Sequence, residues 1–386
     1  MVMDYSFSEE QEMLRTMARD FLAKECPKTY VREMMEHDEK GYSPEVWKKM
    51  ADVGWLGLVF PEEYGGTGMG FRDLMILGDE MGRAMLPGPF VSTVLLVGMP
   101  ILMAGTEEQK KEYLPKIANG DMIGTLAVLE QDGDLWPGSI KTTASRRGDE
   151  YIIRGKKLFV PDAKAADVML CAARTKRAEE GSEDGITLFL ANAKDHAVWP
   201  TELKTMDMTR KQYEVDLNNV AVPAANIVGE LHQGWPVIKK VALQAAAFLT
   251  AEMAGGMDWV LETTVEYLKT RIAFGRPLGS FQALKHRIAD VCSDCEMGRS
   301  LMEWAALCMN SDSTDVPVAV SMAKAFCADA YLRATNAGVQ LHGGLGFTWD
   351  HDMHLYFKRA RANNTAFGDS NYHRELVAQY LNAEVL

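Results

Sequence analysis

The chain has no apolar run long enough to cross a bilayer as a helix. Its most apolar stretch, residues 91–105, is too short and is interrupted by Pro100. Basic side chains are in deficit: 41 Lys and Arg stand against 54 Asp and Glu, for a formal net charge of −13. That balance opposes both general nucleic-acid binding and docking on an anionic membrane. A secretory leader is not expected, because four acidic residues precede Arg15, the first basic one. The usual nucleotide fingerprints are missing as well. No GxGxxG follows a strand, there is no GxxxxGK[ST], and neither HExxH nor GxSxG occurs.

Cysteine is sparse, with six among 386 residues. Cys292 and Cys295 have CxxC spacing, but no second Cys or His pair accompanies them. His342, His351, His354 and His373 cluster late without metal-ligand spacing to a strong carboxylate partner. No metal is therefore expected, and the thiols point to a reduced, cytoplasmic setting.

What is present suits a globular protein. Hydrophobic residues make up 47% and charged residues 25%, and the length calls for two or three packed units rather than one core. Residues 1–122 read as helix. Ser8 and Gln11 form a capping box, and apolar residues recur at Met13, Leu14, Met17, Phe21 and Leu22. Further helical patterns cover 43–53, 71–85 and 106–117, with a Gly-rich loop at 60–70. Residues 123–233 change character. Short strand patterns at 151–153, 168–171, 186–190 and 213–217, separated by turn signals, predict a small antiparallel barrel or sandwich. Residues 234–386 return to helix, over 236–248, 255–272, 281–308, 316–341 and 372–381. The fold class is α+β: a helical block, an antiparallel β domain and a C-terminal helical bundle.

Two late segments carry most of the chemical information. Residues 271–282 place Arg271, Arg276, two glycines and Pro277 between long helices. This is either a solvated corner or a phosphate site, in which arginine charge adds to the donors and dipole of the next helix. Residues 340–348 hold the paired glycines Gly343 and Gly344, which permit close approach of a ligand or another subunit.

Taken together, these segments resemble the two signature regions of the acyl-CoA dehydrogenases. The resemblance spans the whole chain, through Phe60-Pro61-Glu62-Glu63-Tyr64-Gly65-Gly66, residues 99–115 and the hairpin at 148–157. It implies a homotetramer that binds FAD between the middle domain and the C-terminal helices. The implied FAD contacts are Arg271, Phe274 and Gln282 across a subunit boundary, and Gln340, Gly343 and Gly344 at the pyrophosphate and adenosine end. Phe159, Val160 and Pro161 would lie against the isoalloxazine ring. Leu129, in the strand 127–130, would offer backbone groups to flavin and thioester, and Asn371 would join the cofactor contacts. The implied partners are an acyl-CoA substrate and an electron-transfer flavoprotein.

The departures from that family are informative. Leu129-Glu130-Gln131 stands where Thr-Glu-Pro is common, and Phe159-Val160-Pro161 where Trp-Ile-Thr is common, so two flavin-bonding hydroxyls are missing. The usual catalytic Glu position holds Phe367, and the alternative position holds Ala246. Neither accepts a proton. Asp369 is a candidate displaced base, with a flavin or ribityl hydrogen-bonding role standing slightly ahead of that one; Glu252 is a second candidate, expected to face a neighbouring helix. The sequence resembles bacterial members acting on steroid side chains, dicarboxylates and ring acids, some of which work as paired subunits. A non-catalytic, FAD-binding half of a heterotetramer is accordingly the alternative to an active dehydrogenase. A same-fold oxidase or eliminating enzyme, and a cofactor-free helical adaptor, are more distant readings. By family position, Val91, Ser92, Thr93 and Leu95 would line the far end of the pocket. Ala246 and Gly255 would leave room on the helix side, favouring a branched or cyclic acyl group.

Overall fold

In the computed structural model of the chain, residues 6–177, 179, 181–311 and 313–385 are described. The outermost ends of the expected N-terminal and C-terminal parts lie outside these residues. The helices are α1 (Glu9–Glu25), α2 (Lys28–Glu36), α3 (Pro44–Asp52), α4 (Phe71–Ala84), α5 (Met99–Ala104), α6 (Glu107–Ala118), α7 (Trp235–Thr270), α8 (Gln282–Asn310), α9 (Val316–His342), α10 (Gly344–Phe347), α11 (Met353–Thr365) and α12 (Ser370–Val385). The strands are β1 (Gly124–Ala127), β2 (Thr143–Arg147), β3 (Glu150–Pro161), β4 (Val168–Arg174), β5 (Ile186–Asn192), β6 (Val198–Glu202), β7 (Gln212–Pro223), β8 (Ile227–Val228), β9 (Ile272–Ala273) and β10 (Arg276–Pro277).

The chain divides into two compact units. One comprises Met1–Arg32, Gly70–Leu86 and Ala246–Leu386; the other comprises Glu33–Met69 and Pro87–Ala245.

The helical unit begins as its sequence dictates. Ser8 accepts from the Gln11 backbone at 3.2 Å while the Gln11 side chain reaches back to the Ser8 N–H, closing the box that starts α1. Helix α9 is the hub, packed against α8, α11 and α12. Residues 236–248 and 255–272, expected as two helices, form a single 36-residue helix, α7. The expected gap was 249–254, with Gly255-Gly256 opening the second helix. A pair of glycines inside a helix costs on the order of 1 kcal/mol each, but here both are covered. A Cβ on Gly255 would fall 1.8 Å from the Asp79 carbonyl oxygen on α4, and one on Gly256 would fall 2.4 Å from the Tyr331 hydroxyl on α9. The glycines let neighbouring elements approach α7, and that packing overrides propensity.

In the other unit, an eight-stranded sheet has the order β6-β7-β3-β2-β4-β5-β8, with β1 on β4. Most pairings are antiparallel, as expected. The β1–β4 ladder and the single β2–β4 contact are parallel. The alternation along β3 and β7 buries Tyr151, Ile153, Tyr213 and Val215 while their neighbours are at least partly exposed. Against β1 lies a π-helix at Val91–Gly98, in the apolar stretch picked out by sequence. Cys26, Cys171, Cys295, Cys308 and Cys327 are buried free thiols; Cys292 is exposed. No metal-ligand cluster occurs among the described residues.

Candidate functional site

The sheet unit carries Leu129, Phe159, Val160 and Pro161. Strand β3 has a bulge between Lys157 and Val160 where it pairs with β7. The bulge turns Phe159 out at φ 51 with 47% of its surface exposed, while the Val160 side chain is fully buried. Any ring lying here would meet Phe159 through its side chain and Val160 through its backbone. The Leu129 carbonyl accepts from Leu158 N at 2.9 Å, and the Val128 carbonyl accepts from Lys157 Nζ at 3.1 Å. The Val128 and Leu129 carbonyls are thus held within the sheet unit.

Glu130 is fixed beneath that segment. Its carboxylate accepts from Lys141 N at 2.9 Å, Thr142 N at 3.0 Å and the fully buried Lys157 Nζ at 2.7 Å. Pairing of this kind stabilises a buried carboxylate and occupies the lone pairs it would need as a base. The Lys157–Glu130 pair is absent from the sequence reading: 27 residues separate the two, and only the β1–β3 geometry brings them together.

The helical unit carries the other candidates in three segments. In the first, β9 and β10 form a tight hairpin whose central residues, Phe274 (φ 54) and Gly275 (φ 76), both have positive φ, as a type I′ turn requires. Phe274 is 92% exposed, and the Arg276 guanidinium lies over the Phe281 ring at 4.1 Å. Arg271 and Gln282 are exposed on the same corner, Gln282 opening α8. In the second segment, Gly343 leaves α9 at φ 59, ψ −136, a conformation open essentially to glycine alone. A Cβ on either Gly343 or Gly344 would meet nothing within 4 Å. Beside them, His342 is buried with Nδ1 on the Gly338 carbonyl at 2.8 Å, while its buried Nε2 has no partner. Open glycine backbone next to an orphaned buried acceptor fits a polar ligand seated at this turn. Gln340 is exposed just before it.

The third segment is the 364–371 turn. Phe367 sits at φ 56 and Gly368 at φ 97. Asp369 caps α12, with Oδ1 accepting from Tyr372 N at 2.8 Å. Asn371 is exposed and bonded to Arg374 at 3.1 Å. Two buried side chains stand behind the turn. Lys324 donates to the Gly368 carbonyl at 2.7 Å, and His373 Nε2 to the Phe367 carbonyl at 3.0 Å. Burial depresses the Lys324 ammonium to about 7 against the pull of Asp369. Neither residue was singled out for this role by the sequence; their signal is burial, which a single sequence does not display.

Three family models match in order along the chain. The acyl-CoA dehydrogenase N-terminal domain covers residues 8–121, the middle domain 125–220 and the C-terminal domain 232–381. An acyl-CoA dehydrogenase of Bacillus subtilis is 30% identical over 97% of this chain and 98% of its own length. The chain belongs to the acyl-CoA dehydrogenase family. The acyl-CoA dehydrogenase IpdE2 of Mycolicibacterium smegmatis is 32% identical over 94% of this chain and 95% of its own. The solved butyryl-CoA dehydrogenase of Megasphaera elsdenii superposes with a TM-score of 0.90 at 25% identity, over 98% and 100% of the two chains. The protein is accordingly an oxidoreductase of the acyl-CoA dehydrogenase family with that family's helix–sheet–helix fold.

As a member of this family, the chain departs from the sequence reading at its expected pocket wall. Gly255 faces the α4 backbone rather than open space, so it leaves no room for an acyl chain. Ser92 donates to Asp162 at 2.6 Å, and Thr93 exchanges hydrogen bonds with Gly124 at 3.1 and 3.3 Å. With Leu95 fully buried, these side chains are spent inside the sheet unit. Glu252 is buried in the helical unit, with Oε1 3.8 Å from Arg359 Nη1, a setting that suits an ion pair better than a base.

The buried imidazole of His373 predicts an acid limit for this acyl-CoA dehydrogenase. Burial lowers its pKa from 6.5 to about 4, helped by the Lys324 charge and opposed by the Phe367 carbonyl and Asp369. Between those values the unfolded chain binds a proton that the folded chain refuses, so stability falls as pH drops from 6.5 towards 4, by about 3 kcal/mol. Urea unfolding across this range should lose that component of the slope in His373→Gln.

Proposed function

We propose that the chain is an FAD-dependent dehydrogenase that introduces a double bond between Cα and Cβ of an acyl-CoA thioester. The single observation carrying this reading is the 364–371 turn, where Asp369, held by one oxygen, stands two residues beyond the position of the family's usual base. Asp369 Oδ2 takes the α-proton, and Oδ1 stays on Tyr372 N. Bound FAD supplies the acceptor for the β-hydride. The N–H groups of segment 127–130 polarise the thioester oxygen, which acidifies Cα. Arg271, Phe274 and Gln282 belong to the cofactor site across a subunit boundary. Gln340, Gly343, Gly344 and Asn371 hold the FAD phosphates and adenosine, and Phe159, Val160 and Pro161 back the ring. The same reading assigns the protein to residues 1–122, 123–233 and 234–386 as three domains, to a tetramer, and to the cytoplasm. It passes electrons to an electron-transfer flavoprotein.

A second reading has support of its own: with Phe367 and Ala246 at the usual base positions and one Asp369 oxygen committed to α12, the chain suits an FAD-binding subunit paired with a catalytic one. An anaerobic visible spectrum, taken with a panel of acyl-CoA thioesters, separates the two. Bleaching of bound flavin supports dehydrogenation, and a yellow protein that no thioester bleaches supports the partner subunit. Gly344→Val tests the cofactor site. The new side chain meets no protein atom within 4 Å of its Cβ, so the thermal midpoint should hold while retained FAD falls at least about tenfold. Unchanged FAD content would move the cofactor away from this turn.

A further inference from the structure

Three carbonyls of the 364–368 turn are held by two buried side chains that lie outside it. Lys324 projects from the middle of α9 and has no exposed surface. Its Nζ donates to the Asn364 carbonyl at 3.1 Å and the Gly368 carbonyl at 2.7 Å. His373 projects from the first turn of α12 and is buried too. Its Nε2 lies 3.0 Å from the Phe367 carbonyl, and its Nδ1 lies 3.3 Å from the Ser321 hydroxyl, one helical turn before Lys324 on α9. A carbonyl only accepts, so Nε2 carries the ring proton and Nδ1 accepts from Ser321.

The backbone bonds of this region lie at the edges of the turn. Ala366 N reaches the Ala362 carbonyl at 3.1 Å, and His373 N reaches the Asp369 carbonyl at 3.1 Å. Between them, Phe367 and Gly368 occupy the left-handed region, which costs a phenylalanine about 1 kcal/mol or more. Such a conformation persists where surrounding groups over-determine it. A side chain at 368 is excluded as well, since its Cβ would lie 2.3 Å from Tyr372 and 3.0 Å from His373 Nε2. A residue serving only as packing in α9 would be better as leucine or methionine, because burying an ammonium carries a large desolvation penalty. The chain keeps a lysine there whose described hydrogen bonds all go to this turn.

We infer that Lys324 and His373 are positioning residues for the reaction, locking the 364–368 turn so that Phe367 and Asp369 present a fixed surface to the acyl group. The inference rests on the dehydrogenase reading for its catalytic consequence, and on hydrogen bonding alone for its structural part. Neither residue touches the substrate; both act through the turn.

The test uses the FAD-loaded full chain and Lys324→Met, which keeps length and removes both donors, with Lys324→Gln restoring N–H donors. Backbone amide exchange over residues 366–370 should rise about tenfold or more in Lys324→Met, while exchange in α8 stays as in the parent. With a thioester that bleaches the parent, kcat should fall about tenfold to a hundredfold, KM should stay within about threefold, and Lys324→Gln should recover most of the loss. If Lys324→Met does not fold, His373→Leu removes the third bond and is read in the same way. Parent-like exchange over 366–370 in either folded variant overturns the inference, as does a loss of activity that appears only in KM. A parent that no thioester bleaches defeats the dehydrogenase reading, and the exchange measurement still decides whether the clamp exists.

Discussion

Asp369→Asn should abolish flavin bleaching by acyl-CoA while leaving the fold intact. Asparagine keeps an oxygen for the Tyr372 N–H and is as good an N-cap as aspartate, so α12 starts as before and the thermal midpoint should move little. What it loses is the ability to take the α-proton. Removal of a positioned general base lowers the chemical step by about 10² to 10⁴. The rate of anaerobic flavin reduction by a saturating thioester should fall by that factor, with FAD content unchanged. Asp369→Ala would lose both cap and base, so comparing the two substitutions separates the roles. If Asp369→Asn reduces flavin at the parental rate, Asp369 is a cap alone, and the base lies elsewhere or in another chain.

The second large effect belongs to the sheet unit. Lys157→Met should destabilise the protein by about 3–5 kcal/mol, as expected when one partner of a buried ion pair is removed and the other is left charged. Glu130 would retain its bonds to Lys141 N and Thr142 N and lose the Lys157 ammonium that pairs with it. Val128 would lose the donor to its carbonyl, loosening the segment proposed to face the thioester. Urea unfolding measures the loss. The double variant Lys157→Met with Glu130→Gln should recover a large part of it, because no charge is then stranded; a double variant as unstable as the single would place the defect in packing instead.

Much of this architecture was legible in the sequence, for identifiable reasons. The α1 start was readable because a capping box is local chemistry between residues three apart. Strands β4 and β5 were readable because buried strands concentrate apolar residues into short runs. Helix α7 was read as two helices, 236–248 and 255–272, and the glycines that open the second carry no mark of the α4 and α9 atoms pressed against them. The pocket-wall assignment failed at Gly255 for the same reason: a small residue signals proximity of something without naming it. The parallel β1–β4 ladder was missed because strand direction depends on topology and not on periodicity. At the 364–371 turn, the sequence exposed the odd residue, Phe367. The clamp behind it was hidden, since Lys324 and Ser321 lie forty residues or more before the turn they serve.

Among the described residues, three of the seven non-glycine residues with positive φ are phenylalanines, Phe159, Phe274 and Phe367, each in a segment singled out above. Glycine or asparagine would relax the backbone at every one of them. Selection for robustness alone would thus drift towards small residues at these points, and each such step would delete an aromatic surface. The sequence holds the opposite solution three times over. Phe159 and Phe274 are well exposed, so a substitution that relaxed the backbone there would trade exposed ring surface for stability.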